Sequence, residues 1–119
     1  MPVSGYSSIW YPVAAWEAAK RFYSEGLGLP LLQVSDEDGW ALLAVPGGGP
    51  PFFLVRKPAR AGGSGGPVLG LTVTDLPALL EQVVACGGRV DPLVQEGSGV
   101  RITTIYDPDG NLLELTEAP

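Results

Sequence analysis

The spacing of hydrophobic and polar positions changes at intervals along the chain, and the changes mark out elements. Residues 6–13 contain the run Ser7-Ser8-Ile9-Trp10-Tyr11 and read as a strand. Residues 14–25 are rich in helix formers, with apolar side chains at Ala15, Ala18, Ala19, Phe22 and Tyr23, and Gly26 and Gly28 stop that helix. Three short strands follow at residues 31–34, 40–45 and 52–55. They are separated by the turn-forming runs Asp36-Glu37-Asp38-Gly39 and Pro46-Gly47-Gly48-Gly49-Pro50-Pro51. The segment is a βαβββ unit.

The pattern then starts again. Residues 58–67, which include Ala61-Gly62-Gly63-Ser64-Gly65-Gly66, have the composition of a flexible linker. Residues 68–74 read as a strand, and Asp75 is placed to cap a helix with Pro77 in its first turn and an apolar face of Leu76, Leu79, Leu80, Val83 and Val84. Gly87 and Gly88 end that helix. Strands at residues 89–94, 100–106 and 111–116 complete a second βαβββ unit, with Asp107-Pro108-Asp109-Gly110 as the turn between the last two. The strand-helix-glycine module of residues 6–28 therefore recurs at residues 68–88, about sixty positions later. The expected organisation is one α+β domain over residues 1–119: an N-terminal module 1–57, a linker 58–67 and a C-terminal module 68–119. A generic α+β sandwich without internal symmetry is the alternative.

Composition narrows the partners. With 119 residues and 45% hydrophobic content the chain can bury one real core. Seven basic against thirteen acidic residues leave a net charge of −6, which repels nucleic acid and anionic lipid and more easily accommodates a cationic or neutral partner. Cys86 is the single cysteine, so no intrachain disulfide or cysteine-based metal knuckle is possible, and a reducing cytoplasm is the expected setting. Met1-Pro2-Val3-Ser4-Gly5 lacks the basic and apolar regions of a signal peptide, and no stretch is long enough to span a bilayer, so neither secretion nor membrane insertion is expected. There is no histidine, which removes the commonest metal ligand and the usual acid-base group near neutral pH.

Two segments carry a family resemblance. Arg21-Phe22-Tyr23-Ser24-Glu25-Gly26-Leu27-Gly28-Leu29-Pro30 and Tyr106-Asp107-Pro108-Asp109-Gly110-Asn111-Leu112-Leu113-Glu114-Leu115 closely resemble the helix end "F-Y-x-x-x-L-G-x-P" and the closing hairpin "D-P-D-G-N-x-x-E-L" of the vicinal-oxygen-chelate superfamily, which holds glyoxalases, bleomycin resistance proteins and extradiol dioxygenases. The resemblance implies two βαβββ modules forming a curled mixed sheet around a small-molecule cavity, often completed by a second subunit, and hence a homodimer. In the family's metalloenzymes four inward-facing side chains, usually His, Glu or Gln, bind a divalent ion that chelates two neighbouring substrate oxygens. The resemblance carries those positions to Ser8, Leu54, Val68 and Glu114, of which only Glu114 can ligate well. A divalent metal is therefore disfavoured and no cofactor is expected. Family members lacking the metal set include drug-sequestering proteins, which bind a cationic or aromatic antibiotic stoichiometrically.

Each candidate has a bland reading beside its functional one. Alternation puts Leu113 and Leu115 on one face of the last strand and Leu112, Glu114 and Thr116 on the other, so Glu114 either faces the cavity, where it could bind a cation or act as a base, or is a solvated strand carboxylate. Trp10, two residues after Ser8, offers a flat wall for a planar ligand or packs in a core or interface. Trp40 could close over the cavity or pack at an edge, while Trp16 in the helix reads as packing. Arg56 and Arg101 could pair with Glu114 or with an acidic group of a ligand, or be solvated. The Tyr106 phenol could donate to a ligand oxygen or only pack. Cys86 reads as a buried structural thiol, since no histidine can activate it. The glycine runs lack the following helix with Lys-Ser or Lys-Thr that a phosphate loop needs, and are expected to be mobile lids.

Three functions remain. The first is a metal-free binding protein holding an aromatic or cationic molecule among Trp10, Trp40, Phe52 and Glu114, with Ser8, Leu54, Val68, Arg101 and Tyr106 completing the lining. The second is a metal-dependent lyase, isomerase or dioxygenase of the glyoxalase type. The third is a metal-free enzyme with Glu114 as general base and Tyr106 or Arg101 polarising a carbonyl.

Overall fold

Alternating apolar positions at four places in each half of the chain give eight strands. A computed structural model of the chain describes residues 9–62, 68–97 and 99–117. The first half contains β1 (Trp10–Val13), α1 (Trp16–Arg21), β2 (Leu31–Ser35), β3 (Trp40–Leu43) and β4 (Phe52–Arg56). The second contains β5 (Leu69–Val73), α2 (Leu76–Ala85), β6 (Arg89–Gly97), β7 (Val100–Tyr106) and β8 (Leu112–Glu117). Each half forms a four-stranded mixed sheet, ordered β1-β4-β3-β2 and β5-β8-β7-β6, in which the first strand runs parallel to the last and the other pairs are antiparallel. This α+β architecture of two curled, unclosed sheets and two helices is the one expected.

The helices end and begin as their residues require, with one departure. The helix expected over residues 14–25 is α-helical only to Arg21 and then widens into a π-helical turn over Phe22–Gly26, closed by the Leu27 N–H donating to the Phe22 carbonyl at 2.9 Å. The wider turn lets the consecutive aromatics Phe22 and Tyr23 both be buried. Asp75 caps α2 as expected, its side chain accepting from the Ala78 N–H, and Glu117 takes the Leu76 N–H at 2.6 Å. Val84, expected on the apolar face of α2, is instead 59% exposed, because the buried contacts of that helix run through Leu76 and Val83.

One hydrophobic core serves both halves. Val13, Phe22, Tyr23, Leu43, Phe52 and Leu54 from the first half pack in the same cluster as Leu76, Val83, Ile105, Leu113 and Leu115 from the second. Such side chains each contribute about 1.5–3 kcal/mol when fully buried. The helical layers meet closely: a Cβ on Gly26 would lie 3.2 Å from the Cys86 Cβ, and one on Gly88 would collide with the Phe22 ring and with Val83. Glycine at these two places lets α2 and the end of α1 approach.

The turn Asp107-Pro108-Asp109-Gly110 joins the halves through hydrogen bonds. Asp107, only 3% exposed, accepts from the Tyr23 hydroxyl (2.8 Å), the Asn111 N–H (2.8 Å), the Asn111 side-chain amide (2.9 Å) and the Asp109 N–H (2.9 Å). The Asn111 amide also donates to the Pro12 carbonyl at 2.8 Å, and Asp109 accepts the Ala15 N–H at 3.1 Å, supplying the start of α1 with the acceptor that Ala15 lacks. Burial pushes the Asp107 carboxyl above its ordinary value, against the opposing pull of these donors, and burial with the neighbouring Asp107 charge pushes the Tyr23 phenol well up.

A carboxyl with a raised folded-state value favours the fold below its unfolded value, and that contribution is lost as pH rises through the folded one. The Tyr23 hydroxyl offsets this by stabilising the anion. Tyr23→Phe should therefore destabilise the domain by about 1–3 kcal/mol under conditions in which Asp107 is ionised. The loss should shrink as pH falls through the raised Asp107 value, and urea titrations at a series of pH values measure it.

Candidate functional site

Both sheets turn one face to the shared core and leave the other open. In the first sheet the core face carries Tyr11, Val13, Ala41, Leu43, Phe52 and Leu54. Strand alternation then puts Trp10, Pro12, Phe53, Val55, Trp40 and Leu42 on the open face, and register places Trp10 beside Phe53, Phe53 beside Leu42, and Val55 beside both Pro12 and Trp40. The Trp40 and Phe53 rings meet edge to face with centroids 6.0 Å apart. These residues form a half-buried aromatic and aliphatic wall.

The second sheet continues it. Leu69, Leu71, Val73, Ile105, Leu113 and Leu115 face the core. Gly70, Thr72, Thr104, Leu112 and Glu114 lie on the open side, with Glu114 exposed and paired in register with Gly70 on β5 and Thr104 on β7. The seam between the sheets is held by the Tyr11 hydroxyl, which takes the Leu69 N–H at 2.8 Å and donates to the Leu112 carbonyl at 3.2 Å. Burial raises this phenol above its ordinary value.

The structure sorts the candidates accordingly. Trp10, Trp40, Tyr106 and Glu114 are on the open face, and Val68, 50% exposed, precedes β5 on the side of Gly70. Ser8 lies outside the described residues. Phe52 and Leu54 must be withdrawn from the lining: both are at 1% exposure or less, and Phe52 packs on Tyr11 and Tyr23 with centroids 6.2 and 5.7 Å away. The strand Phe52-Phe53-Leu54-Val55 is apolar on both faces, so alternation alone could not tell them apart, and the register assigns Phe53 and Val55 to the wall instead. Arg101 is also withdrawn, because it stands on the helix side, paired with Glu117 through Nε at 2.8 Å and through Nη2. Arg56 likewise lies over the Trp16 ring at 5.6 Å and donates to the Glu37 carbonyl. Trp16 packs as expected, its indole N–H on Asp36 at 2.7 Å, and Cys86 is a buried free thiol.

Sequence reasoning missed several members of this surface, among them Pro12, Leu42, Phe53, Val55, Arg60 and Arg89. Arg60, in the 3-10 turn Pro58–Arg60, lies over the Trp10 ring at 5.4 Å, and Arg89 lies over the Tyr106 ring at 4.3 Å. The Arg89 and Tyr106 pairing had a signal, since the two strands that carry them were expected to be neighbours. The Arg60 and Trp10 pairing had none.

The donor set does not suit a chelated metal. Of the positions the family uses, the β8 residue is Glu114, Val68 has no donor atom, and the β4 residues on this face are Phe53 and Val55. Among the described residues no group of three or more His, Cys, Asp or Glu is placed to hold an ion. An open groove of about 610 Å³ runs beside the outer strand β5, between Leu27, Leu29, Val45 and Pro46 on one side and Gly70 and Thr72 on the other. Leu71, Val73 and Leu79 on the core side also line it, so the groove follows the edge of β5 and is separate from the wall of Trp10, Phe53 and Trp40.

Comparison with known proteins agrees with this architecture. The chain belongs to the Glyoxalase/Bleomycin resistance protein/Dioxygenase superfamily, whose family model matches residues 6–115. Among curated proteins, none matches the sequence. The solved structure of TnmS3, an antibiotic binding protein from Streptomyces sp. CB03234, is 28% identical with a TM-score of 0.70, covering 100% of this chain and 99% of that one. A glyoxalase/bleomycin resistance protein from Catenulispora acidiphila is 26% identical with a TM-score of 0.68, covering 96% and 100%. The fosfomycin resistance protein FosX from Listeria monocytogenes shares the fold, with a TM-score of 0.77 at 16% identity over 98% and 95% of the two chains.

The two faces of β4 can be told apart by truncation. Phe52→Ala should cost about 3–5 kcal/mol of stability, as for other buried phenylalanines, and Phe53→Ala less than half as much. Denaturant unfolding of the two variants is the check, and equal losses would contradict the register described.

Proposed function

We propose that this protein binds a small planar aromatic molecule on its open face without a metal and without chemical turnover. The observation that carries the reading is the wall of Trp10, Phe53 and Trp40 with Leu42, Val55 and Pro12, a surface of half-buried rings on the open face. Glu114 stands further along the same face and can meet a cationic substituent. The similarity to an antibiotic binding protein supports the reading. A glyoxalase-type reaction is disfavoured because Val68, Phe53 and Val55 supply no ligand atoms, and a metal-free reaction through Glu114 loses Arg101, engaged by Glu117 on the other side of the sheet, and keeps only Tyr106 on the open face as its partner. The acidic chain with its lone buried thiol suits a reducing cytoplasm, and no helix among the described residues is long and apolar enough to cross a membrane.

We infer a homodimer for this function. Leu31, Leu32 and Val34 are 39%, 54% and 42% exposed on β2, the outer strand of the first sheet, where a second copy would cover them.

The test is titration of tryptophan fluorescence with a panel of planar drugs, bleomycin-type compounds included. At least one should quench saturably at one molecule per site and be recovered unchanged after incubation. Trp10→Ala should weaken that binding about tenfold, in line with the loss of one stacked ring. Dialysis against a chelator should leave the affinity as it was, and a chelator-dependent loss would revive the metal reading. Light scattering at micromolar concentration should give twice the 12.4 kDa chain mass.

A further inference from the structure

The seven cations of this chain are not distributed alike. Lys20, Arg21 and Arg101 are paired with carboxylates, and Arg56 lies over Trp16 on the helix side. Lys57 follows Arg56 at the end of β4, and what sets Arg60 and Arg89 apart is that the rings beneath them, Trp10 and Tyr106, belong to the open face. Each lies over an aromatic ring, and no ion pair of either is seen among the described residues. An arginine over a ring gains a cation–π contact without using its N–H groups on a carboxylate, which leaves those donors for a carboxylate or phosphate of a ligand.

The two pairs lie on either side of the same seam. The Tyr11 hydroxyl bridges Leu69 and Leu112, so Trp10, one residue earlier, begins its strand beside the start of β5 and β8. Arg60 is kept there because Gly62 donates to the Asn111 side chain at 3.2 Å. Across the second sheet, Leu112 pairs with Tyr106 and Tyr106 with Arg89. Between the two arginines lie Val68 and Leu112, 50% and 37% exposed, as an apolar floor. From Tyr106 on β7 across β8 to β5 the path crosses two strand spacings, about 10 Å, and the Tyr11 hydrogen bonds place the start of β1 beyond it. A fused aromatic ring system with an acidic substituent fits that span.

We propose that the open face selects a planar aromatic acid, its ring system over Val68 and Leu112 and its anionic group on the guanidinium of Arg60 or Arg89. The inference rests on the reading of this face as a ligand site and adds the sign of the ligand's charge, opposite to the one suggested by a net charge of −6. Net charge governs approach from a distance, but beyond about 8 Å at physiological salt it is largely screened, so groups in contact decide selectivity.

A matched pair of probes tests it: 2-naphthoate and 2-naphthylmethylammonium, which share a ring system and differ in charge, each titrated by tryptophan fluorescence and calorimetry. The naphthoate should bind at least tenfold more tightly, and its affinity should fall with added salt. Arg60→Met or Arg89→Met should weaken naphthoate about tenfold while leaving the ammonium probe unchanged or improved. Arg60→Lys and Arg89→Lys, which keep the charge but lose the planar fork, should fall between. Equal binding of the probes, preference for the ammonium, or naphthoate binding unchanged in both methionine variants would overturn the charge assignment while leaving an aromatic site standing. Failure of both probes to bind at millimolar concentration would remove the site itself.

Discussion

The buried carboxylate of Asp107 is the constraint on which the arrangement of this domain depends. It receives four donors, one of them the Tyr23 hydroxyl from the other half of the chain, and its removal from water would be unfavourable without them. Asn111 and Asp109, held in the same turn, reach Pro12, Ala15 and Gly62. Strand β1, the start of α1 and the segment after β4 are thus referred to one turn of the second module. The wall of the open face inherits that precision, because Trp10 precedes Tyr11 on β1 and Tyr106 precedes Asp107.

Sharing one core has a consequence for the opposite face. Tyr11, Tyr23 and Phe52 meet with centroid separations of 5.7 to 6.2 Å on the helix side of the first sheet, and Leu113, Leu115 and Ile105 do the same work in the second. Stability is concentrated on that side of the sheets. Substitutions on the open face meet fewer packed neighbours, so the residues that a metal would require can be exchanged for aromatic and aliphatic ones without loss of the fold. Phe53, Val55 and Val68 give this face an apolar surface, with Glu114 on β8 beside them.

Legibility in the sequence followed the physical character of each strand. In β8, Leu112-Leu113-Glu114-Leu115-Thr116 alternates between apolar and polar well enough that its faces could be assigned from the residues, and the structure agrees. In β4, Phe52-Phe53-Leu54-Val55 is apolar on both sides, so only the neighbouring strand's register reveals which pair is buried. Arg101 was misplaced for a related reason: at the end of β7 its side is set by pairing with Glu117, sixteen residues on, and not by a hydrophobic pattern. The repeat of strand, helix and glycine was visible because turns and helix ends demand particular residues locally. The arginine–aromatic pairs join distant segments and leave no local trace.

On the proposed reading, a face that stacks a ligand and does not chelate one has a different kind of selectivity. A metal recognises adjacent oxygen atoms and is indifferent to most of the remaining ligand surface, whereas a wall of rings recognises flatness and area and is tolerant of substituents. Discrimination on such a wall must come from a few fixed polar groups at its margins. The polar groups on this face are Glu114 on β8 and the guanidinium groups of Arg60 and Arg89 over Trp10 and Tyr106. The two arginine–aromatic pairs come from different halves of the chain, and it is the Asp107 turn that brings those halves to one seam.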